Sequence, residues 1–156
     1  MKTFIKNVKS PVGVWSVVGT DDGVSHIHLP QDALTASKGT APKAVADAAQ
    51  QLAEYFAGTR RTFKVQLATS PSTSFQSDVW DALRKIPYGQ VRTYGEVADA
   101  IERPRAHRAV GNANHANPWP IVVPCHRVVS SGGLGGYGGG ENVKRYLLEL
   151  EGVHVE

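Results

Sequence analysis

A chain of 156 residues, 41% apolar and 20% charged, has the size and make-up of an ordinary globular protein with one substantial core and room for a small appendage. No apolar stretch approaches a bilayer span, and the single cysteine excludes an internal disulfide and the zinc sites that are built on paired thiols. A net charge of +3 is mildly basic and by itself selects no partner. The lysines of MKTFIKNVKS precede no apolar core and no small-residue cleavage site, so no secretory leader is expected and the expected location is the cytoplasm.

From Pro11 to Leu29 two β-branched runs flank Asp21-Asp22-Gly23, which predicts a hairpin. Lys43 to Ala57 carries Val45, Ala49, Leu52 and Phe56 at spacings of three and four and ends at Gly58, a pattern for an amphipathic helix with a glycine cap. Thr62–Leu67 alternates and is expected to add a third strand to the hairpin. Residues 1–68 therefore form a small antiparallel sheet-plus-helix domain, and the break in composition over residues 69–74 is a linker to a second domain, 75–156.

That second domain is expected to be mainly helical. Ser74 is placed to cap a helix with Phe75, Val79, Leu83 and Ile86 on one face, stopped by Pro87-Tyr88-Gly89. Thr93-Tyr94-Gly95-Glu96 matches a capping box opening a second helix, and Pro104 suits the first position of a third, containing Arg105 to Ala113. Two short helices with a tight connection, the second small and basic, suggest a helix-turn-helix, although a plain helical hairpin fits this segment equally well. From Arg103 to Gly140 there is no Asp or Glu, while Arg103, Arg105, Arg108, Arg127, His107, His115 and His126 are present, which predicts a local basic surface. Asn117–Val129, punctuated by prolines, must be extended or turning; Ser130–Gly140 holds seven glycines; and a last helix from Glu141 is expected to turn Val143, Leu147 and Leu150 to one side.

Chemistry concentrates at Pro124-Cys125-His126-Arg127. A nucleophilic thiol calls for a lowered pKa, drawn from a helix N-terminus, a cationic neighbour or a proton-accepting base, and two of these residue types adjoin Cys125. Adjacent side chains of an extended segment point to opposite faces, so a water or a turn must connect Cys125 with His126. A carboxylate orienting His126 would complete a relay; Glu151, Glu141 and Glu149 are all candidates by spacing. The glycine run is either a flexible loop or a surface that lets backbone approach a planar ligand, with Tyr137 as a wall.

Taken in order and spacing, Phe75 to Trp80, Ile86-Pro87-Tyr88-Gly89, Thr93-Tyr94-Gly95-Glu96, Arg108-Ala109-Val110-Gly111, Asn117-Pro118 and Pro124-Cys125-His126-Arg127-Val128 resemble the O6-alkylguanine-DNA alkyltransferases over about residues 70 to 152. The resemblance implies an α+β fold in which a small sheet-and-helix domain precedes a winged-helix-like domain carrying a helix-turn-helix. It makes Cys125 the alkyl acceptor, His126 the base that removes its proton through a water, and Glu151 the acid that orients His126. It also makes Asn117 the tie between recognition helix and active-site turn, and Tyr94 a proton donor toward the leaving guanine. Arg108 becomes the finger that fills the gap left by an extruded base. Val128, Trp119, Pro120, Tyr137 and Gly138 line the substrate pocket, with the carbonyls of Cys125 and Val128 meeting the guanine amino group and the Gly138 N–H meeting O6. Arg103, Arg105, Ala106, Ala109 and Thr93 join Arg108 on the DNA side, the small residues permitting close approach in the minor groove.

The implied activity is direct-reversal repair: irreversible, single-use transfer of an alkyl group from guanine O6, and less readily thymine O4, onto Cys125. The implied partner is double-stranded DNA bound by a monomer, with no cofactor, no metal and no membrane. Extrusion follows from chemistry, because O6 inside a duplex is out of a thiol's reach. The alternative is a non-catalytic alkyltransferase-like protein, a group that carries Trp or Ala where Cys125 stands. A sequence-specific regulator would have no need of the thiol, and a cysteine hydrolase would need an oxyanion hole and a leaving route that a thioether lacks.

Overall fold

A computed structural model of the chain describes residues 2–155. Two compact units divide it, Met1–Ser70 and Pro71–Glu156. In the first, β1 (Phe4–Ser10), β2 (Gly13–Thr20) and β3 (Gly23–His28) form an antiparallel sheet in that order. The expected hairpin is β2–β3, and α1 (Lys43–Phe56) packs on the sheet with Gly58 beyond its end at φ +79°. Trp15, Val17, Val24 and Ile27 from the sheet meet Val45, Ala48, Leu52 and Tyr55 from α1 to make an apolar core.

The third strand is β1, not the Thr62–Leu67 segment. That segment makes one bridge, Leu67 to Val24, with Val24 N donating to Gln66 O and Ala68 N to Val24 O, each at 2.9 Å. Farther back, the Gln51 amide from α1 takes the place of a strand partner, bonding both the N–H and the carbonyl of Lys64 at 2.9 Å. Alternation marked an extended segment correctly but not what satisfied its backbone.

The second unit contains α2 (Ser74–Arg84), α3 (Tyr94–Ala100), α4 (His107–His115) and α5 (Glu141–Leu150), plus a two-residue parallel ladder between β4 (Arg92–Thr93) and β5 (Val128–Val129) that no local pattern announced. Thr73, rather than Ser74, caps α2: its hydroxyl accepts from Gln76 N while the Gln76 side chain accepts from Thr73 N, both at 3.0 Å. The Thr93–Glu96 capping box forms as expected. Pro104 does not start a helix. α3 ends with Glu102 at φ +61°, where Glu102 N bonds Asp99 O and Arg103 N bonds Ala98 O; a further turn then joins Ala106 N to Arg103 O before α4 begins at His107. α5 buries Lys144, Leu147 and Leu148, with Glu151 capping it; of the expected Val143–Leu147–Leu150 stripe Leu147 is fully buried and Val143 and Leu150 are half-buried, so the interior face is centred on Lys144 and Leu148 as well. No helix among the described residues is long and apolar enough to cross a membrane.

Candidate active site

The segment after α4 cannot stay helical, because Pro118, Pro120 and Pro124 remove backbone donors. It folds back instead, with Val123 N bonded to Trp119 O at 2.9 Å and Ile121 at φ +75°. That conformation costs a β-branched residue on the order of 1–3 kcal/mol and is retained by burial of the side chain. Asn117 braces the fold: its amide donates to Val123 O at 2.8 Å and accepts from Trp119 N at 2.9 Å. A 3-10 turn, Cys125–Arg127, follows and leads into β5.

The turn places His126 and Arg127 on one carboxylate. Glu151 Oε2 lies 2.6 Å from His126 Nε2, and Arg127 forks onto both oxygens, Nε to Oε1 at 2.8 Å and Nη2 to Oε2 at 3.2 Å. Gly89 N, in the turn after α2, donates to Oε1 at 3.0 Å, and Arg127 Nη1 reaches Ile86 O at 2.8 Å. Gly89 is required there: it sits at φ +80° and a Cβ would stand 3.2 Å from the Glu151 carbonyl oxygen. Glu141 pairs with Arg145 on the surface and Glu149 is exposed, so Glu151 is the acid that meets His126.

Burial pushes the Glu151 carboxyl up, but the hydrogen bond of His126 and the hydrogen bond and charge of the Arg127 guanidinium outweigh it and hold the group well below the usual carboxylate range. His126 is pushed down, chiefly by burial, and stands neutral. An ionised carboxylate can only accept, so Nε2 carries the imidazole proton and Nδ1 holds the lone pair of a base.

The Cys125 thiol departs from expectation. Burial pushes its pKa up, against the opposing pull of the Asn117 and Tyr137 side chains and the charge of Lys144. It rests as a neutral thiol, so its cationic neighbours do not suffice and a base must take its proton during reaction. Tyr94 and Tyr137 are also pushed up, first by burial, and both keep their protons. Tyr94 OH donates to Gly136 O at 3.3 Å. Gly135, at φ +77°, lies against that tyrosine: a Cβ would come within 3.1 Å of the ring and hydroxyl and 3.0 Å of Ser130 N. This glycine makes room for Tyr94.

Two family models match the chain: 6-O-methylguanine DNA methyltransferase, DNA binding domain, over residues 74–153, and 6-O-methylguanine DNA methyltransferase, ribonuclease-like domain, over residues 3–69. The chain belongs to the 6-O-methylguanine DNA methyltransferase family. Its relatives include the methylated-DNA--protein-cysteine methyltransferase of Methanosarcina acetivorans, 42% identical over 156 residues covering 92% of this chain and 95% of the relative. The protein of that name in Mycobacterium tuberculosis is 45% identical over 150 residues, covering 94% and 90%. Among solved structures, M. tuberculosis O6-methylguanine methyltransferase superposes with TM-score 0.83 at 42% identity, covering 96% of this chain and 93% of that one. M. tuberculosis OGT in complex with DNA superposes with TM-score 0.84 at 44% identity, covering 95% and 92%.

Within the methyltransferase DNA binding domain, Arg105, Arg108 and Ala109 are exposed, Ala106 and Thr93 are half-buried, and exposed Arg103 lies 5.9 Å from the Phe75 ring. Exposed His107 and His115 belong to the same stretch, but Arg127 and His126 do not contribute to its surface: both are buried on Glu151. Trp119 is buried edge-to-face against Trp80, ring centroids 5.8 Å apart, and Pro120 and Val128 are buried beside it in sequence and across the turn. Gly138 and Tyr137 are half-buried in the glycine loop.

Two residues of this methyltransferase, Asn114 and Lys144, were not singled out from sequence, and Arg127 was read as surface charge and as a neighbour of the thiol. Asn114 sends its amide from α4 to the Cys125 carbonyl at 3.1 Å, a link from inside the helix that had been sought at Asn117. Arg127 is the second partner of Glu151. Lys144, fully buried, donates to Val128 O at 2.6 Å and Gly136 O at 3.0 Å. The spacing Lys144, Leu147, Leu148, Glu151 is a helix-face signal for Lys144, concealed because two of its four members are charged.

Proposed function

We propose that the protein restores alkylated guanine in double-stranded DNA by moving the O6-alkyl group irreversibly onto Cys125, with O4-alkylthymine a poorer substrate. The observation that carries this reading is the buried His126–Glu151 contact of 2.6 Å beside a neutral, buried thiol in a chain of this family. His126, its Nε2–H held by Glu151, takes the thiol proton at Nδ1 through a water. The Cys125 sulfur then attacks the alkyl carbon; the S–C bond forms as the C–O6 bond breaks, and its electron pair remains with guanine. Tyr94, kept protonated by burial, supplies a proton to the leaving base. The product thioether has no hydrolytic exit, so each molecule acts once.

Access to O6 requires the base to leave the stack, at a cost of a few kcal/mol. We assign Arg108 to the gap left behind and α4 to the minor groove, with Arg103 and Arg105 at phosphates. The exposure of these residues, the small Ala106 and Ala109 beside them and the absence of acidic residues from Arg103 to Gly140 support that assignment.

The test is mass spectrometry of the protein after incubation with a duplex bearing O6-methylguanine. One methyl on the Cys125 peptide, stopping at one equivalent, is the expected result; repeated turnover or an unmodified thiol overturns the proposal. Arg108→Ala should slow transfer from the duplex far more than transfer from a free alkylated guanine, and equal slowing would remove Arg108 from the role of finger.

A further inference from the structure

The rotation of α4 about its own axis is fixed from inside. Val110, Ala113 and Asn114 are buried, the Ala113 carbonyl accepts from Trp80 Nε1 at 2.9 Å, and the Asn114 amide donates to Cys125 O at 3.1 Å. The face this leaves exposed carries Arg108, Ala109, Asn112, His115 and the capping Ala116, whose spacing makes one helical stripe. The reading above gives Arg108 to the gap left by an extruded base. Asn112, at the centre of the stripe, is left without a part.

Asn112 stands one helical turn beyond Arg108. That is a rise of about 6 Å, or between one and two base-pair steps of about 3.4 Å. Its neighbours along the stripe are Ala109, three residues before it, and Ala116, four after, both exposed. The minor groove is about 6 Å wide, narrower than a helix with its side chains, so close approach needs short side chains, and methyl groups flank Asn112 on both sides. Gly111, the preceding residue, faces Tyr94: a Cβ there would stand 3.9 Å from the tyrosine ring. The turn from Arg108 to Asn112 therefore adjoins the residue assigned to the leaving base.

Asparagine is a poorer helix former than alanine, and the Asn112 amide has no hydrogen-bond partner among the described residues. Neither helix stability nor packing accounts for it. A phosphate would be met better by a cation, as at Arg103 and Arg105. What an amide offers is a donor and an acceptor side by side. In the minor groove an A·T pair presents acceptors alone, whereas guanine adds a donor, its 2-amino group, beside the N3 acceptor. The Asn112 amide can satisfy both of its groups on that guanine edge. On an A·T pair its Oδ1 would face no donor.

We propose that Asn112 is a specificity-determining residue for the sequence around the lesion: its amide engages the minor-groove edge of a guanine one or two steps from the extruded base, on one side only, and so favours repair beside G·C over repair beside A·T. This rests on the alkyl-transfer reading and on the place of α4 in the minor groove, and adds to them a dependence on neighbouring base pairs.

The experiment is single-turnover methyl uptake by Cys125, below saturation, from duplexes in which the pairs one and two steps to either side of O6-methylguanine are G·C, A·T or inosine·C. Inosine lacks only the 2-amino group of guanosine. Wild type is compared with Asn112→Ala, a change that favours the helix at an exposed position. Wild type should react about fivefold or more faster with G·C than with inosine·C at one flank, and A·T should behave as inosine·C does. Asn112→Ala should bring that ratio toward one, with the loss falling on the G·C duplex. Equal wild-type rates on G·C and inosine·C at every flank overturn the inference while leaving alkyl transfer intact. A preference that survives Asn112→Ala comes from the duplex itself and also overturns it. So does a variant slowed by one factor in every context, which marks a backbone contact, or slowed as much on free O6-methylguanine, which marks an effect on the site. If wild type takes up no methyl from any duplex, the alkyl-transfer reading fails and this inference with it.

Discussion

The two units of the chain solve opposite problems. In Met1–Ser70 the only buried side chain among those described outside the aliphatic and aromatic types is Ser16, whose hydroxyl donates to Asn7 at 2.6 Å and accepts from Leu34 N at 2.9 Å; the rest of the interior is aliphatic and aromatic side chains on a regular sheet and helix. In Pro71–Glu156 the interior contains Asn114, His126, Arg127, Lys144 and Glu151, gathered around short, irregular backbone. The first unit is stabilised by removal of apolar surface from water, which any well-packed set of side chains can provide. In the second, each buried polar group depends on a particular partner, so its stability and its chemistry rest on the same contacts.

The contrast predicts different responses to damage. Glu151→Ala leaves Arg127 without its carboxylate and His126 without its orienting acceptor; the expected loss is about 3–5 kcal/mol, read by denaturant melting, together with near-complete loss of methyl uptake. Leu52→Ala in α1 should cost about 2–5 kcal/mol by leaving a cavity, yet folded molecules should take up methyl at the wild-type rate. A Leu52→Ala protein that melts earlier and also reacts slowly when folded would break the comparison.

Acid should separate the units as well. His126 has a folded pKa below its ordinary value of 6.5, so the stability of its neutral form is complete above pH 6.5 and is lost as pH falls through the lower folded value. Glu151, also lowered, contributes fully above its ordinary 4.5 and loses that contribution on further acidification. In the first unit His26 is pushed down too, by partial burial and then by His28, but it has no comparable network. Hydrogen exchange from pH 7 downward should therefore show protection failing first around α5 and the active-site turn. Earlier failure in β1–β3 would contradict this.

Smaller effects sharpen the same picture. Gly135→Ala forces a left-handed backbone and a contact with Tyr94, at roughly 1–3 kcal/mol, and should slow transfer while the circular dichroism of the folded state is retained. Thr73→Ala removes one capping bond from α2, worth about 1 kcal/mol, and should leave the transfer rate unchanged. A rate loss from Thr73→Ala would mean that α2 positions the site more directly than its place before the Pro87–Gly89 turn suggests.

Legibility in the sequence followed the range of the interaction. The β2–β3 hairpin, α1 with its glycine stop and the Thr93–Glu96 capping box were all readable, because the residues that decide them lie within a few positions of one another. Strand β1 was not singled out, and Thr62–Leu67 was assigned its place, because pairing is a choice between distant partners. Pro104 suited a helix start in isolation, but the positive φ of Glu102 and the turn after it delay α4 by three residues.

At the site, the run Pro124-Cys125-His126-Arg127 announced a reactive thiol and a base, and family resemblance selected Glu151 from three acids. Residue types and their order are properties of the chain alone. Tertiary structure alone decided that the Cys125 pKa rises rather than falls, that Arg127 turns inward and that Lys144 is buried. The physical reason is burial together with long-range pairing: Glu151 meets His126 across 25 positions and Gly89 across 62, and no local pattern records which charges will be removed from water together.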